Sequence, residues 1–154
     1  MHFPVLPPWI GVSIFLAVCA AAIWRGKWEE RSVGAAFLAG WLATLLLRDR
    51  SWAGTQWGAF GVDLAFLLLV VGVALRSRRY WPMVAAGFQL LAVATHAARI
   101  LDHHLGMWAY ITAGVIWTWL VMATLAVGTY NRWRERRQPA ANGLAITAPG
   151  ATRR

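Results

Sequence analysis

The stretch WGAFGVDLAFLLLVVGVAL, residues 57–75, decides the class of fold that this sequence can adopt. It carries one charged residue, Asp63, and no proline. About 20 apolar residues are the length that an α-helix needs to cross the hydrocarbon core of a bilayer. Because that core offers no water to backbone amides and carbonyls, a crossing segment must satisfy them internally, as a helix does. The stretch therefore predicts a transmembrane helix.

Four further apolar runs surround this one. The chain is 59% hydrophobic and 14% charged, whereas soluble domains carry about 25% charged residues. The predicted spans lie at about 6–24, 32–47, 57–75, 82–102 and 107–130. The sequence thus predicts an all-α polytopic integral membrane protein, a five-helix transmembrane bundle forming one domain over residues 1–137. Residues 138–154 are rich in Pro, Ala, Gly and Thr without periodicity, and they are predicted to be a disordered cytoplasmic tail.

Basic residues are distributed unevenly between the two sides of the membrane that five crossings define. Only three, Arg48, Arg50 and Arg99, fall on the side of the N-terminus, and the other twelve fall on the opposite side. Cytoplasmic loops carry an excess of Lys and Arg. We therefore expect an outside N-terminus and a cytoplasmic C-terminus in a multi-pass protein of a bacterial inner membrane. The net charge of +9 is explained by topology, and no nucleic-acid partner is expected.

The basic cluster after the fifth run has two interpretations. Its members are Arg132, Arg134, Arg136 and Arg137. A juxtamembrane cluster attracts anionic lipid by about 1 kcal/mol per basic residue, which makes these arginines candidate lipid-binding residues. Alternatively, the cluster only sets the topology. Three acidic residues beside arginines, Glu29, Glu30 and Glu135, are expected to be solvated loop charges. The aromatic residues Trp108 and Tyr110 are expected at the outer membrane interface.

A polar cluster stands out in the stretch ATHAARILDHHLGMW, residues 94–108. Four side chains in and before it share one side of the fourth predicted helix: Gln89, His96, Arg99 and His103. Such a stripe should face other helices and avoid lipid. A lone carboxylate in hydrocarbon is costly, so Asp63 is predicted to pair with Arg99 or His96 across the contact between the third and fourth helices.

Several interpretations of this cluster stay open. It fits a proton or quinol site, because histidine changes its charge near neutral pH. It fits a metal site whose weak candidate ligands are His96, Asp102, His103 and His104. It also fits haem or pigment ligation by His96. The simplest interpretation is an ion pair among Asp63, His96 and Arg99 that holds two helices together. No cofactor is expected, although haem, a pigment or a quinone remains compatible with the residues.

Known catalytic motifs are missing from the sequence. It has no P-loop, Gly-rich dinucleotide fingerprint, HExxH or CxxC, and its loops are too short to form a catalytic domain outside the membrane. We therefore expect a small non-enzymatic accessory, assembly or scaffold subunit of a membrane complex, with the bilayer and other membrane subunits as partners. The alternative is a redox, proton-coupled or small-hydrophobic-ligand-binding protein that uses the predicted outer-face cluster.

Five predicted crossings in 154 residues with 11 Trp resemble in outline the tryptophan-rich sensory protein (translocator protein) family. The resemblance implies a five-helix membrane bundle, and that family binds porphyrins and sterols. Members of that family have a long first loop rich in Trp and Pro, whereas the first loop of this sequence is RGKWEERS, residues 25–32. The resemblance therefore carries over no individual residue.

Overall fold

The computed structural model describes residues 8–47, 57–102 and 106–146, and they form five α-helices. The helices are α1 (Pro8–Arg25), α2 (Trp28–Leu47), α3 (Trp57–Arg76), α4 (Trp81–Leu101) and α5 (Met107–Ile146). No strand occurs in these described ranges, and the predicted all-α class is confirmed. Three helices, α3, α4 and α5, are long and apolar enough to cross a membrane.

The other helices and the end of α5 differ from these three. The apolar part of α1, Trp9–Arg25, is shorter. The first turn of α2 is acidic, which leaves the run 32–47 as its apolar part. Helix α5 continues to Ile146 and so enters the tail that the sequence predicts to be disordered. Extending an existing helix costs little because each added residue gains a hydrogen bond. Residues 147–154 of that tail lie outside the described residues.

The five helices pack as a closed ring in chain order. Each helix contacts the next one along the chain, α1 also contacts α5, and α2 contacts α5 across the ring. Every helix contributes at least one fully buried side chain to the same core: Ala22, Val33, Val70, Ala85, Val121 and Leu125. Large apolar side chains such as Leu68 and Leu90 are exposed on the outside of the ring, where a bilayer would surround them.

Arginine side chains gather at one end of the ring, which we call the arginine-rich end. Here Arg79, between α3 and α4, donates from Nη1 and Nη2 to the two carboxylate oxygens of Glu135 at 3.0 and 2.7 Å. Arg132 donates to the same carboxylate at 2.9 Å. Arg137 lies over the ring of Trp133, 3.9 Å from its centroid. Two of the four predicted lipid-binding arginines thus have protein partners.

The remaining two of those arginines, Arg134 and Arg136, are exposed. Their side chains are therefore available to headgroups if this end of the ring lies at a membrane surface. The predicted lipid attraction of the cluster stays a prediction, and on this geometry it rests mainly on these two residues.

Glu29 and Glu30 are both buried in the first turn of α2, so the expectation of solvated loop charges is wrong for these two residues, whereas Glu135 is exposed. Glu30 is fully buried, and its Oε2 accepts a hydrogen bond from the backbone N–H of Lys27 at 2.8 Å, as in one half of a capping box. Its Oε1 has no hydrogen-bond partner among the described residues. Burial raises the pKa of the Glu30 carboxyl above its ordinary value, and the neighbouring Glu29 adds to the rise.

Glu30→Gln should flatten the pH dependence of stability. A carboxyl whose pKa is higher in the folded state binds its proton more tightly there, so stability falls as pH rises from its unfolded pKa to its folded pKa. Glutamine keeps an acceptor for the Lys27 N–H but cannot ionise. Thermal unfolding in micelles from about pH 4 to about pH 8 should show a smaller fall for the variant, and identical pH profiles would contradict this account.

Gly128 on α5 lies directly against the indole of Trp81 on α4. A Cβ at this position would lie 2.7 Å from the nearest ring atom. Gly128→Ala should therefore lower the free energy of unfolding by about 1–3 kcal/mol, as overpacking does. Gly72→Ala is the matched control, because its Cβ would meet nothing within 4 Å. The free energy of unfolding of this control should be unchanged or higher by up to about 1 kcal/mol. Equal stability of the two variants in denaturant titrations would show that the close approach is not required.

Candidate functional site

The half of the ring away from the arginine-rich end contains a cavity of about 260 Å³. All five helices contribute to its wall. Small residues on four of them create the space: Gly40, Ala59, Ala92 and Gly114. The sequence therefore leaves a void at this level, whereas the other half of the ring is filled by branched and aromatic side chains.

One wall of the cavity is aromatic. Phe15, Phe37, Trp41 and Phe66 line it. The ring of Phe37 meets the edge of Phe15 with centroids 5.0 Å apart, and it stacks on Phe66 at 5.1 Å. Edge-to-face and stacked arrangements are the favourable ones for aromatic pairs. These contacts hold a rigid apolar surface across α1, α2 and α3.

The opposite wall carries a chain of three hydrogen-bonded side chains, one from each of α3, α4 and α5. Nε2 of His96 lies 2.8 Å from Oδ2 of Asp63, and Nδ1 of His96 lies 2.7 Å from the hydroxyl of Tyr110. The His96 side chain is only 12% exposed, and that of Asp63 is 34% exposed. We call this set the Asp63–His96–Tyr110 chain. It joins, through one imidazole, the three helices that are long and apolar enough to cross a membrane.

Gln89 fixes the carboxylate at the start of the chain. Its amide Nε2 donates to Oδ1 of Asp63 at 3.1 Å and to the Asp63 backbone carbonyl at 3.2 Å. The Gln89 side chain is buried and precedes His96 by seven residues on the same face of α4. Both oxygens of Asp63 are therefore occupied, which prevents the carboxylate from rotating away from His96.

The partners of His96 assign its tautomer when it carries a single proton. An ionised carboxylate can only accept hydrogen bonds, so Nε2 holds the proton and donates it to Asp63. Nδ1 is then an acceptor, and the Tyr110 hydroxyl donates to it. In this state the hydroxyl oxygen of Tyr110, which lines the cavity, can accept a further hydrogen bond.

A second polar contact ties α4 to α5 beside the cavity. The indole N–H of Trp117 donates to the hydroxyl of Thr95 at 3.0 Å. Thr95 in turn donates to the backbone carbonyl of Leu91 at 2.8 Å. The hydroxyl is therefore occupied twice, and its role is to orient the α4–α5 contact. Thr95 also lines the cavity, but its donor is not available to a ligand.

The structure brings together three of the five predicted site residues. Asp63, Gln89 and His96 meet at the cavity wall, and of the two expected partners of Asp63 it is His96 that is hydrogen-bonded to it. Arg99 follows one turn later on α4 and is partly buried. His103, the fifth residue, lies outside the described residues.

The predicted metal set cannot be assembled from the described part of the chain. Asp102 is the C-cap residue of α4, where its backbone N–H donates to the Ala98 carbonyl at 2.9 Å. His103 and His104 fall in the undescribed segment 103–105. Within the described ranges, no group of three or more His, Cys, Asp or Glu could hold a metal ion. The metal interpretation therefore stays a prediction.

Tyr110 is a member of the candidate site that the sequence did not predict, because its place near the start of a predicted span is typical of an interfacial aromatic residue. The register of the α4–α5 hairpin is the feature from which the position of Tyr110 could have been predicted. His96 and Tyr110 lie seven residues before and after residue 103. Antiparallel neighbours joined by a short connection bring such positions to the same level.

In comparisons with known proteins, the sequence matches no protein-family model, no curated protein and no solved structure at a significant level. The outline resemblance to the tryptophan-rich sensory protein family therefore gains no support from a family match. The site geometry, the cavity and the charge distribution are the observations from which a function can be proposed.

Asp63→Leu should lower the free energy of unfolding by about 1–3 kcal/mol, the usual cost of leaving buried polar partners unsatisfied. The amide of Gln89 and the imidazole of His96 would lose their acceptor. Asp63→Asn is the matched control, since its carbonyl still accepts from Gln89 and its amide can donate to His96. In denaturant titrations in mixed micelles, the free energy of unfolding should be highest for the wild type, lower for Asp63→Asn and lowest for Asp63→Leu. Two variants of equal stability would contradict a pairing role.

Proposed function

We propose that this protein is a multi-pass membrane protein that binds one small amphipathic ligand in the cavity. The observation that carries the proposal is the pairing of an aromatic wall with the Asp63–His96–Tyr110 chain around one partly open cavity. Ligand sites are mostly apolar with a few converging polar groups. An apolar cavity of about 150 Å³ can hold benzene, so the 260 Å³ found here suits one substituted ring.

The polar wall favours a neutral ligand that has at least one hydrogen-bonding oxygen. An anion would lie close to the Asp63 carboxylate, and no Lys or Arg side chain lines the described cavity to offset the repulsion. A cation would find both oxygens of that carboxylate already hydrogen-bonded, to Gln89 and His96. The Tyr110 hydroxyl, in contrast, keeps hydrogen-bonding capacity after it has bonded His96. We assign it the direct contact with the ligand.

The proposal includes five crossings of a bacterial inner membrane, with the N-terminus outside and the C-terminus in the cytoplasm. Three apolar helices and the concentration of arginine at one end of the ring support this placement. With this orientation the cavity lies in the outer half of the bilayer. The accessory or scaffold role expected from the sequence stays a prediction, and ligand binding and assembly with other membrane subunits are compatible with each other.

Gly114→Leu tests the proposal by filling the cavity from α5. Gly114 lines the cavity, and a Cβ at this position would meet nothing within 4 Å. Gly87→Leu is the matched control, because Gly87 is an exposed helical glycine whose Cβ also meets nothing within 4 Å. The probes are 4-propylphenol and decylubiquinone, added to protein in lipid nanodiscs.

A bound probe should stabilise the wild type and the Gly87→Leu control by about 2.7 kcal/mol when its free concentration is about 100 times its Kd. The Gly114→Leu variant should unfold at a temperature no lower than that of the Gly87→Leu control. Its unfolding temperature should not rise when the probe is added. If both probes shift all three proteins equally, they act through the bilayer, and the proposed site is wrong. If neither probe shifts the wild type, a single-ring ligand is excluded.

A further inference from the structure

We infer that the ligand belongs to the quinone–quinol class and that one proton on the Asp63–His96–Tyr110 chain decides whether the cavity binds the carbonyl form. The carbonyl form binds only when the chain holds this proton, whereas the hydroxyl form, which can donate or accept a hydrogen bond, binds the chain in either state. The inference rests on the proposed function and adds the chemical class of the ligand and its linkage to protons. No electron transfer is involved, because the quinone and the quinol each bind in the oxidation state in which they reach the cavity.

The chain without the extra proton presents an acceptor to the cavity. His96 donates from Nε2 to Asp63 over 2.8 Å, and Tyr110 donates its hydroxyl proton to Nδ1 over 2.7 Å. The hydroxyl proton is therefore used within the chain. A ligand can only donate to the Tyr110 oxygen, as the O–H of a quinol does and the C=O of a quinone cannot.

One added proton reverses the role of Tyr110. A doubly protonated imidazole donates from both nitrogens, so Nδ1–H now donates to the Tyr110 oxygen. The Tyr110 proton is released from the chain and can point to a carbonyl oxygen in the cavity. The result is the same if the proton resides on Oδ2 of Asp63, since Oδ2–H then donates to Nε2 and the single imidazole proton moves to Nδ1. The direction of two hydrogen bonds changes, while no heavy atom has to move.

The titratable and charged groups near His96 come from three helices. Asp63 faces it from α3 and Tyr110 faces it from α5. Arg99 lies one turn away on α4 itself. The parts of α1 and α2 that line the described cavity are aromatic, glycine or threonine, and they add no charge. Among the described residues, the extra proton is thus governed by one carboxylate, one phenol and one arginine.

Different pH dependences follow for the two ligand forms. Above the pH at which the chain loses its extra proton, binding of the carbonyl form requires the chain to take up one proton, so its affinity falls about tenfold per pH unit. The hydroxyl form binds without proton uptake there, and its affinity does not change with pH. Below that pH both forms bind the protonated chain, because a quinol hydroxyl can also accept the proton that Tyr110 offers, and neither affinity depends on pH.

Calorimetric titration measures this linkage directly. Wild-type protein in zwitterionic nanodiscs is titrated with decylubiquinone, and with decylubiquinol under argon, in buffers of different ionisation enthalpy. We expect uptake approaching one proton per bound quinone at high pH and none per bound quinol. Tyr110→Phe should remove the linkage. Tyr130→Phe is the matched control, because Tyr130 is exposed on the part of α5 near Trp133, and it should leave the linkage unchanged.

Three results would overturn part of this account, and they are distinguishable. If neither form binds the wild type more tightly than the Gly114→Leu variant, the proposed function fails and this inference fails with it. If both forms bind with the same pH dependence, the cavity is a ligand site but the proton on the chain does not select the form. If Tyr110→Phe keeps the proton uptake of the wild type, the linkage exists but arises elsewhere.

Discussion

The carboxylate of Asp63 is the constraint around which this end of the molecule is organised. An acidic side chain at the centre of a membrane helix costs about 2.5–3.5 kcal/mol on insertion scales, and this cost is reduced only if each oxygen finds a donor. Gln89 and His96 supply these donors from the neighbouring helix. Once the imidazole is held in this way, its second nitrogen requires a partner too, and Tyr110 provides it from α5. Three helices are thereby linked through polar contacts within a mainly apolar ring.

The same constraint explains why the cavity lies where it does. At the level of the Asp63–His96–Tyr110 chain, small residues such as Gly40 and Gly114 face the middle of the ring and leave it unfilled. Toward the arginine-rich end, fully buried side chains such as Val70 and Leu125 pack in the middle of the ring. The closed half supplies the packing that keeps the ring together, so the open half can keep a void beside a polar wall. A ligand that fills this void would gain apolar contacts on one side and one hydrogen bond on the other.

Much of this arrangement could be predicted from the sequence, and the exceptions have physical reasons. The apolar run 57–75 predicts α3, and the seven-residue spacing of Gln89 and His96 predicts the polar face of α4 that meets Asp63. The position of Tyr110 depends on the register between α4 and α5, which hydropathy does not encode. The burial of Glu30 and the contact of Arg79 with Glu135, 56 residues apart, depend on how the ring closes. Contacts between residues far apart in the chain are the features that are hardest to predict from a single sequence.

Nitrogen NMR of His96 tests the central claim most directly. Protein labelled with ¹⁵N-histidine would be studied in lipid at neutral pH, and the His96 signals would be assigned by their loss in His96→Gln. The account predicts an imidazole with Nε2 protonated and Nδ1 accepting a hydrogen bond, whose Nδ1 signal moves in Tyr110→Phe and whose Nε2 signal moves in Asp63→Asn. A His96 ring that exchanges freely between tautomers, and that responds to neither substitution, would contradict it.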